Sequence, residues 1–198
     1  MKKILVAIVF ASMSLCAMAQ VDTYTTRIGE YKGPVKSVLA TRDAGVSVDY
    51  YNQDGTIQKS VNSIKDHYTV FEWREGTITQ KFYKKENDEF FGEAVLEYQM
   101  DEESFAVGNE SAVYVWTFAD FAMYMVQGNK IVWAMKAVDR TSDGYTSVVF
   151  VDEKPYSKTS VKLFDPDSYG NFTRMVTTTS DGVEHEAILS YEYYEDAQ

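Results

Sequence analysis

The chain has 198 residues and a formal net charge of −11 at neutral pH, with 30 acidic side chains against 19 lysines and arginines. A charge of this sign repels phosphate backbones and anionic bilayers, so nucleic-acid binding is excluded as a function class. Tyrosine and phenylalanine are abundant at 15 and 11 residues, whereas proline occurs three times. This composition favours pleated sheet over helix.

The first 19 residues have the three parts of an export signal. Lys2 and Lys3 precede an apolar run, and Ala17-Met18-Ala19 forms a small-x-small cleavage site. We therefore predict a signal peptide at 1–19 and an exported chain that starts at Gln20, located in the periplasm or outside the cell. No later stretch reaches the ~18 uninterrupted apolar residues of a membrane helix, so no membrane span is predicted.

Cys16 is the only cysteine, and it lies inside the predicted signal. A cysteine in this place can carry the lipid of a bacterial lipoprotein, but Leu15 stands before it where that cleavage site wants a small residue, which disfavours lipidation. The exported chain would then contain no thiol. It must be held together by core packing, without disulfides or thiolate metal sites.

An acidic residue followed by Gly-Thr-Ile occurs at Asp54-Gly55 and again at Glu75-Gly76, each time between alternating aromatic-rich runs. Glycine accepts the positive φ of primed turns, so both places are predicted to be tight hairpins. The strongly apolar segment 112–126 is predicted as two strands that are joined near Ala119-Asp120 and buried on both faces, with a helix as the alternative. Loops are predicted at the charged stretches 84–88, 101–104 and 152–157.

The residues after each glycine repeat at even offsets. Ile57 and Val61 stand two and six positions after Gly55, and Ile78 and Phe82 follow Gly76 in the same way. Even offsets along a strand place side chains on one face, so each pair is predicted to belong to a buried face. A third copy is formed by Phe172 and Val176 after Gly170, and weaker copies centre on Gly128, Gly144 and Gly182. We predict an all-β fold, an antiparallel meander of repeated β-hairpins in a single curved or stacked sheet, with one domain at 20–198.

The two ends of this domain carry motifs of a known family. Gly33-Pro34-Val35-Lys36-Ser37-Val38 opens the chain, Tyr51-Asn52-Gln53-Asp54-Gly55 follows, and Tyr169-Gly170-Asn171-Phe172-Thr173-Arg174 stands near the end. The chain thereby resembles short secreted bacterial proteins with RHS-like, or YD-type, β-repeats, although Phe172 occupies a position where tryptophan is usual. The resemblance covers both ends but not the middle, from about 93 to 158. It implies an exported hairpin array, and in some relatives contact with carbohydrate.

Catalytic and metal-binding patterns are weak in this sequence. His67 and His185 are the only histidines, and a strand at Glu184-His185-Glu186 would point the histidine away from both glutamates. Asp165, Asp167 and Gly170 have the opening spacing of a calcium loop, but Val176 stands where a bidentate glutamate is needed, which favours an ordinary turn. No nucleophile motif is present. We predict no enzyme activity, no catalytic residues, no metal and no cofactor.

Tyr50, Tyr51, Tyr193 and Tyr194 are the candidate ligand-binding residues. Neighbouring strand residues point to opposite faces, so one tyrosine of each pair is predicted to be exposed or covered by a second layer. The leading hypothesis is a non-enzymatic structural or interaction module of the cell envelope. The alternative is an accessory protein that binds polysaccharide or peptide through exposed tyrosines, and a hydrolase with a carboxylate pair is a third hypothesis. Partners would be a polysaccharide or an envelope protein, and the oligomeric state is left open.

Because neither a disulfide nor a structural metal is predicted, the exported chain should melt cooperatively at the same temperature in plain buffer, in reductant and in chelator. Thermal unfolding followed by circular dichroism tests this. A loss of the cooperative transition in either additive would contradict it.

Overall fold

The computed structural model describes residues 31–101 and 103–195. The predicted signal peptide, its cleavage site at Gln20 and Cys16 lie outside the described residues. Within the described part, no helix is long and apolar enough to cross a membrane.

Fourteen antiparallel strands follow one another in a meander. They are β1 Val35–Arg42, β2 Gly45–Tyr51, β3 Ile57–Asn62, β4 His67–Arg74, β5 Thr77–Lys84, β6 Phe90–Met100, β7 Ser104–Asn109, β8 Ala112–Thr117, β9 Ala122–Gln127, β10 Lys130–Thr141, β11 Gly144–Val151, β12 Lys154–Pro166, β13 Phe172–Thr179 and β14 Glu184–Tyr193. The all-β, antiparallel meander predicted from the sequence is therefore confirmed.

The predicted open form of the sheet is wrong, because the sheet closes into a barrel. β1 pairs with β14, with Val38 opposite Tyr191 and Ala40 opposite Leu189. Closure satisfies the backbone groups that two free edge strands would otherwise expose. These pairs join residues about 150 positions apart in the sequence, and no local pattern reports such a contact.

The closed sheet has an inner face that holds the core and an outer face that meets solvent. Along β1, Val38 and Ala40 are buried and Leu39 between them is exposed, as strand alternation requires. Phe105 on β7 is the most buried large side chain, and the rings of Trp116 and Tyr98 lie 5.5 and 6.1 Å from it. A second, smaller cluster contains Val161, Met175 and Ala187.

The predicted buried pairs hold in only one of the three clear copies. Ile78 and Phe82 are both buried on the inner face of β5. In β3, a bulge at Gln58 separates the pair, so that Ile57 lies inside opposite Tyr51 and Val61 lies outside opposite Val48. In β13 the buried residue is Met175, so its neighbours on the opposite face, which include Val176, look outward. Even spacing predicts a shared face only where no bulge intervenes.

The hairpins at Gly55 and Gly76 are confirmed, but they are not primed turns and not the same turn. Only the glycine of each pair has a positive φ, 81° at Gly55 and 72° at Gly76, whereas a type I′ turn needs two such residues. Gly76 lies in a two-residue loop between the paired residues Arg74 and Thr77. The two-residue turn with two positive φ values is Asp152-Glu153, at 47° and 65°. The predicted loop at 152–157 therefore shrinks to this pair, and β12 begins at Lys154.

A five-residue turn recurs elsewhere with one geometry. In residues 52–56, 167–171 and 179–183, the first N–H donates to the fifth carbonyl, at 2.8 to 2.9 Å, and the fourth N–H donates to the first carbonyl, at 2.9 to 3.0 Å. The fourth residue is always glycine, with φ between 81° and 84°. The hairpins at Gly55, Gly170 and Gly182 therefore share one turn geometry, which the hairpin at Gly76 does not have.

The apolar segment 112–126 forms two strands, β8 and β9, as predicted, and not a helix. It is buried on one face only. Tyr114 points inward and is buried, whereas Val113 beside it is exposed on the outer face. A closed sheet with solvent outside offers no second layer to cover that face.

One buried amide fastens the two ends of the described chain to each other. The Asn171 Nδ2 atom donates to the Lys32 carbonyl and to the Tyr193 hydroxyl, both at 2.8 Å, and Oδ1 accepts from the Lys32 N–H at 2.7 Å. The Tyr193 hydroxyl in turn donates to the Asp167 carboxylate. The ring of Tyr169 packs 4.3 Å from that of Tyr193 and fills the space where a Cβ on Gly33 would stand. The cluster holds β14 against the segment that leads into β1.

Replacement of Asn171 by alanine should lower the free energy of unfolding by about 2–4 kcal/mol, because it removes a buried amide and leaves the N–H and carbonyl of Lys32 without their partner. Urea unfolding measures the loss. Asn129→Ala, in the exposed β9–β10 turn, is the matched control and should change stability by less than about 0.5 kcal/mol. Equal effects of the two substitutions would show that the amide does not fasten the closure.

Candidate functional site

The four tyrosines predicted to bind ligand do not form one surface. Tyr51 is buried at 8% exposure on the inner face, and its carbonyl accepts a hydrogen bond of 2.5 Å from the Tyr194 hydroxyl. The Tyr194 N–H donates to the Pro34 carbonyl at 2.8 Å. Tyr51 and Tyr194 thus fasten the chain end across the closure. Tyr50 points outward from β2 and is 37% exposed.

Tyr193 belongs to the same closure. Burial, followed by the hydrogen bond to the Asp167 carboxylate, raises the pKa of Tyr193 well above its usual range. The phenol therefore stays protonated and keeps its donor role at all physiological pH values. Of the four predicted residues, Tyr50 alone presents its ring to solvent away from the closure.

A row of aliphatic and aromatic side chains on the outer face runs across six neighbouring strands, from β1 to β6. We call it the outer row. Its members are Leu39, Val48, Val61, Tyr68, Tyr83 and Phe90, each opposite the next in the strand register. Leu39 is 37% exposed and Phe90 is 49% exposed, so both ends of the row are open to solvent. At ~4.8 Å per strand the row is about 24 Å long.

The rings in the outer row stand upright against one another. Tyr68 and Tyr83 stack at 5.4 Å with their planes 12° apart, and Phe90 meets Tyr83 edge-on at 5.7 Å. The Lys59 ammonium lies over the Tyr68 ring, 4.0 Å from its centre. The Tyr68 hydroxyl donates to the Asp88 carboxylate at 2.9 Å. These contacts fix the side chains before any partner arrives, which lowers the entropy cost of binding.

The outer row is not evident in the sequence, because its members come from six strands and only the strand register brings them together. A signal was nevertheless present in the pairs Tyr68/Tyr83 and Tyr83/Phe90. Cross-strand aromatic pairs on the outer face become predictable once the hairpin turns at Gly76 and at 85–89 are placed.

A polar cluster lies inside the barrel beneath β1–β3. Asp49 is 9% exposed, is hydrogen-bonded to the Ser60 side chain, and has one carboxylate oxygen, Oδ1, without a partner. The Arg42 guanidinium donates to the Ser47 hydroxyl at 3.1 Å, while its buried Nε also lacks a partner. Buried polar atoms without partners cost stability.

Burial dominates the ionisation of Asp49. It raises the pKa of Asp49 from its usual 3.8 to about 6, against the opposing effects of the Ser60 hydrogen bond and of the Arg42 and Lys65 charges. Both orphan atoms have almost no solvent-accessible area, so the packed side chains leave no room for a ligand beside them. We therefore regard this cluster as a source of pH-dependent stability and place the candidate site on the outer face.

The histidines and the calcium-like turn named from the sequence each have their own neighbours. His67 lies at the inner face beside Phe82 and Phe91, and His185 is near Asp43 at 3.6 Å. In the calcium-like turn, both Asp167 oxygens already accept hydrogen bonds, from the N–H groups of Tyr169 and Asn171 and from Tyr193. Among the described residues, no group of three or more His, Cys, Asp or Glu side chains is placed to hold a metal ion.

Comparisons with protein-family models, with curated proteins and with solved structures found no match to this chain.

The buried Asp49 predicts a specific pH dependence. Because its pKa is higher in the folded chain than in the unfolded one, the folded state binds more protons between about pH 4 and 6, and stability from this group falls as the pH rises through that window. Relative to Asp49→Asn, the wild type should lose roughly 2.5 kcal/mol of unfolding free energy between pH 4 and pH 7.

The measurement is urea unfolding of both proteins across this pH range. Asp120→Asn, in the exposed β8–β9 turn, is the control for the loss of one carboxylate. A flat difference between the wild type and Asp49→Asn would show that folding does not raise the pKa of Asp49.

Proposed function

We propose that this chain is an exported, non-enzymatic interaction module of the bacterial cell envelope, and that it binds a protein partner through the outer row. The observation that carries the proposal is the row itself, an ordered set of aliphatic and aromatic side chains that crosses six strands on the solvent side of the sheet.

The core does not need these side chains. The inner face supplies the buried cluster around Phe105, and the outer face has no second layer over it within the described residues. Contiguous apolar side chains on a solvent face usually mark an interaction surface, and aromatic residues are enriched in the centre of such surfaces. Lys59 and Lys81 lie beside the row and would form its polar rim.

The orientation of the rings favours a protein over a polysaccharide. Sugar rings stack on open aromatic faces, but the Tyr68 ring already stacks on Tyr83 and has the Lys59 ammonium over it. The row therefore presents ring edges, methyl groups and hydroxyls, which suit the side chains of a protein surface. Polysaccharide binding remains the alternative proposal, and Tyr50 is the exposed ring that favours it.

Site-specific photo-crosslinking tests the proposal. A benzoyl-phenylalanine at position 90 of the exported protein should crosslink to one discrete envelope protein in cells of the producing bacterium. The matched control is the same probe at position 156, because Tyr156 is an aromatic residue of the outer surface that is 78% exposed and lies on β12, away from the row.

Tyr83→Ser, which removes the central ring of the row, should reduce the crosslinked band at least several-fold while the melting temperature stays near that of the wild type. The same band from both probes, or none from position 90, would contradict a protein partner on the outer row.

A further inference from the structure

The outer face of β10–β12 is positively charged, although the chain as a whole is strongly acidic. Lys136, Lys158 and Lys162 are exposed on it, among Val138, Val148 and Ser160. The three lysines form no ion pair with any carboxylate of the described residues. Lys136 is held between two rings, 5.6 Å from Tyr124 and 5.8 Å from Phe150. We call this surface the basic face.

A surface of opposite charge lies on β6 and the β7–β8 turn. Glu93, Glu97 and Glu110 are exposed there, with Val95 between the first two at 56% exposure and Val113 nearby on β8. Glu93 lies opposite Lys81 in the β5–β6 register, and the Lys81 ammonium donates to Glu72. Glu97 and Glu110 form no ion pair with a lysine or arginine of the described residues. We call this surface the acidic face.

The two faces match in spacing as well as in sign. Lys158 and Lys162 are four residues apart on one strand, as are Glu93 and Glu97, so each pair spans about 13 Å. Each face also places aliphatic side chains among its charges, Val138 and Val148 on one and Val95 and Val113 on the other. Pairing the two would bury the aliphatic groups and neutralise both sets of charges.

The acidic face runs from β6 to β8 and the basic face from β10 to β12, with β9 between them, and both point outward from the closed sheet. One copy therefore cannot join its own two faces. We propose that the basic face binds the acidic face of a second copy of this chain, so that copies associate head to tail.

The net charge of −11 opposes association at long range, but the Debye length of ~8 Å at physiological salt screens distant charges more than those in contact. Each face covers about three strands, which is a small area, so the contact belongs to the weak class of interfaces. A contact between two different faces does not close on itself as a twofold dimer does, and it propagates as an open row of molecules. The inference rests on other side chains than those of the outer row, and the two surfaces adjoin on β6, where Glu93 lies opposite Lys81.

Charge exchange between the two faces gives a sharp test. One variant carries Lys136→Glu, Lys158→Glu and Lys162→Glu, so that both of its faces are acidic. The other carries Glu93→Lys, Glu97→Lys and Glu110→Lys, so that both of its faces are basic. All six positions are exposed, and circular dichroism melting confirms that each variant is folded.

Sedimentation velocity of the exported protein is measured from about 10 µM to about 1 mM at about 0.05 M and about 0.5 M NaCl. The wild type should rise from monomer to a weight-average mass of about two or more monomers at the lower salt, and the higher salt should reverse this. Each variant alone should remain monomeric, and an equimolar mixture of the two should associate. A control variant with Lys36→Glu, Arg74→Glu and Lys84→Glu, which changes the charge equally at positions outside both faces, should associate as the wild type does.

A monomeric wild type under all these conditions would overturn the proposal, as would variants that self-associate like the wild type or a mixture that stays monomeric. Saturable binding of polygalacturonate to the wild type but not to the lysine variant, with the protein monomeric throughout, would also overturn it and would assign the basic face to an acidic polysaccharide.

Discussion

The pairing of β1 with β14 is the interaction on which the rest of the structure depends. Each of the other strand pairs joins neighbours in the sequence, so it forms with a short loop and a small entropy cost. The closing pair joins the two ends of the described chain, and the buried Asn171 amide provides three hydrogen bonds at that junction. Closure defines an inside and an outside, and with them which side chain of each strand is core.

The sequence predicts what is local in this fold. Glycines with flanking alternation identify the hairpins at Gly55 and Gly76, and the even offsets after Gly76 correctly place Ile78 and Phe82 inside. Prediction fails where one extra residue reverses the alternation, as at Gln58, because a bulge leaves no distinctive mark in the residue pattern. It fails again at closure, since nothing in the residues of β1 identifies β14 as its second neighbour. Local residue patterns do not distinguish an open meander from a closed one.

In the candidate site, too, the local features are predictable from the sequence and the long-range contacts are not. Adjacent tyrosines must point to opposite faces, which correctly predicts one buried and one exposed member at Tyr50-Tyr51. The partial burial of Tyr193 is not predictable in this way. Its hydroxyl binds the Asp167 carboxylate and the Asn171 amide, which lie in a turn more than 20 residues away. The outer row was not predicted because it requires the registers of five consecutive strand pairs, and one error in any of them would move half of its members to the inside.

Both faces of the sheet carry side chains in unfavourable surroundings. Inside, the Asp49 Oδ1 and Arg42 Nε atoms are buried without hydrogen-bond partners, and this lowers the stability of the barrel relative to an all-apolar interior. Outside, aliphatic and aromatic side chains remain exposed on the outer row and between the charges of the basic and acidic faces. The loss of stability from these buried polar atoms is set by the fold, and it varies with pH through Asp49. A partner that covers the exposed apolar side chains removes them from water, which is favourable. The outer surface, and not the interior, is therefore where binding can lower the free energy of this chain.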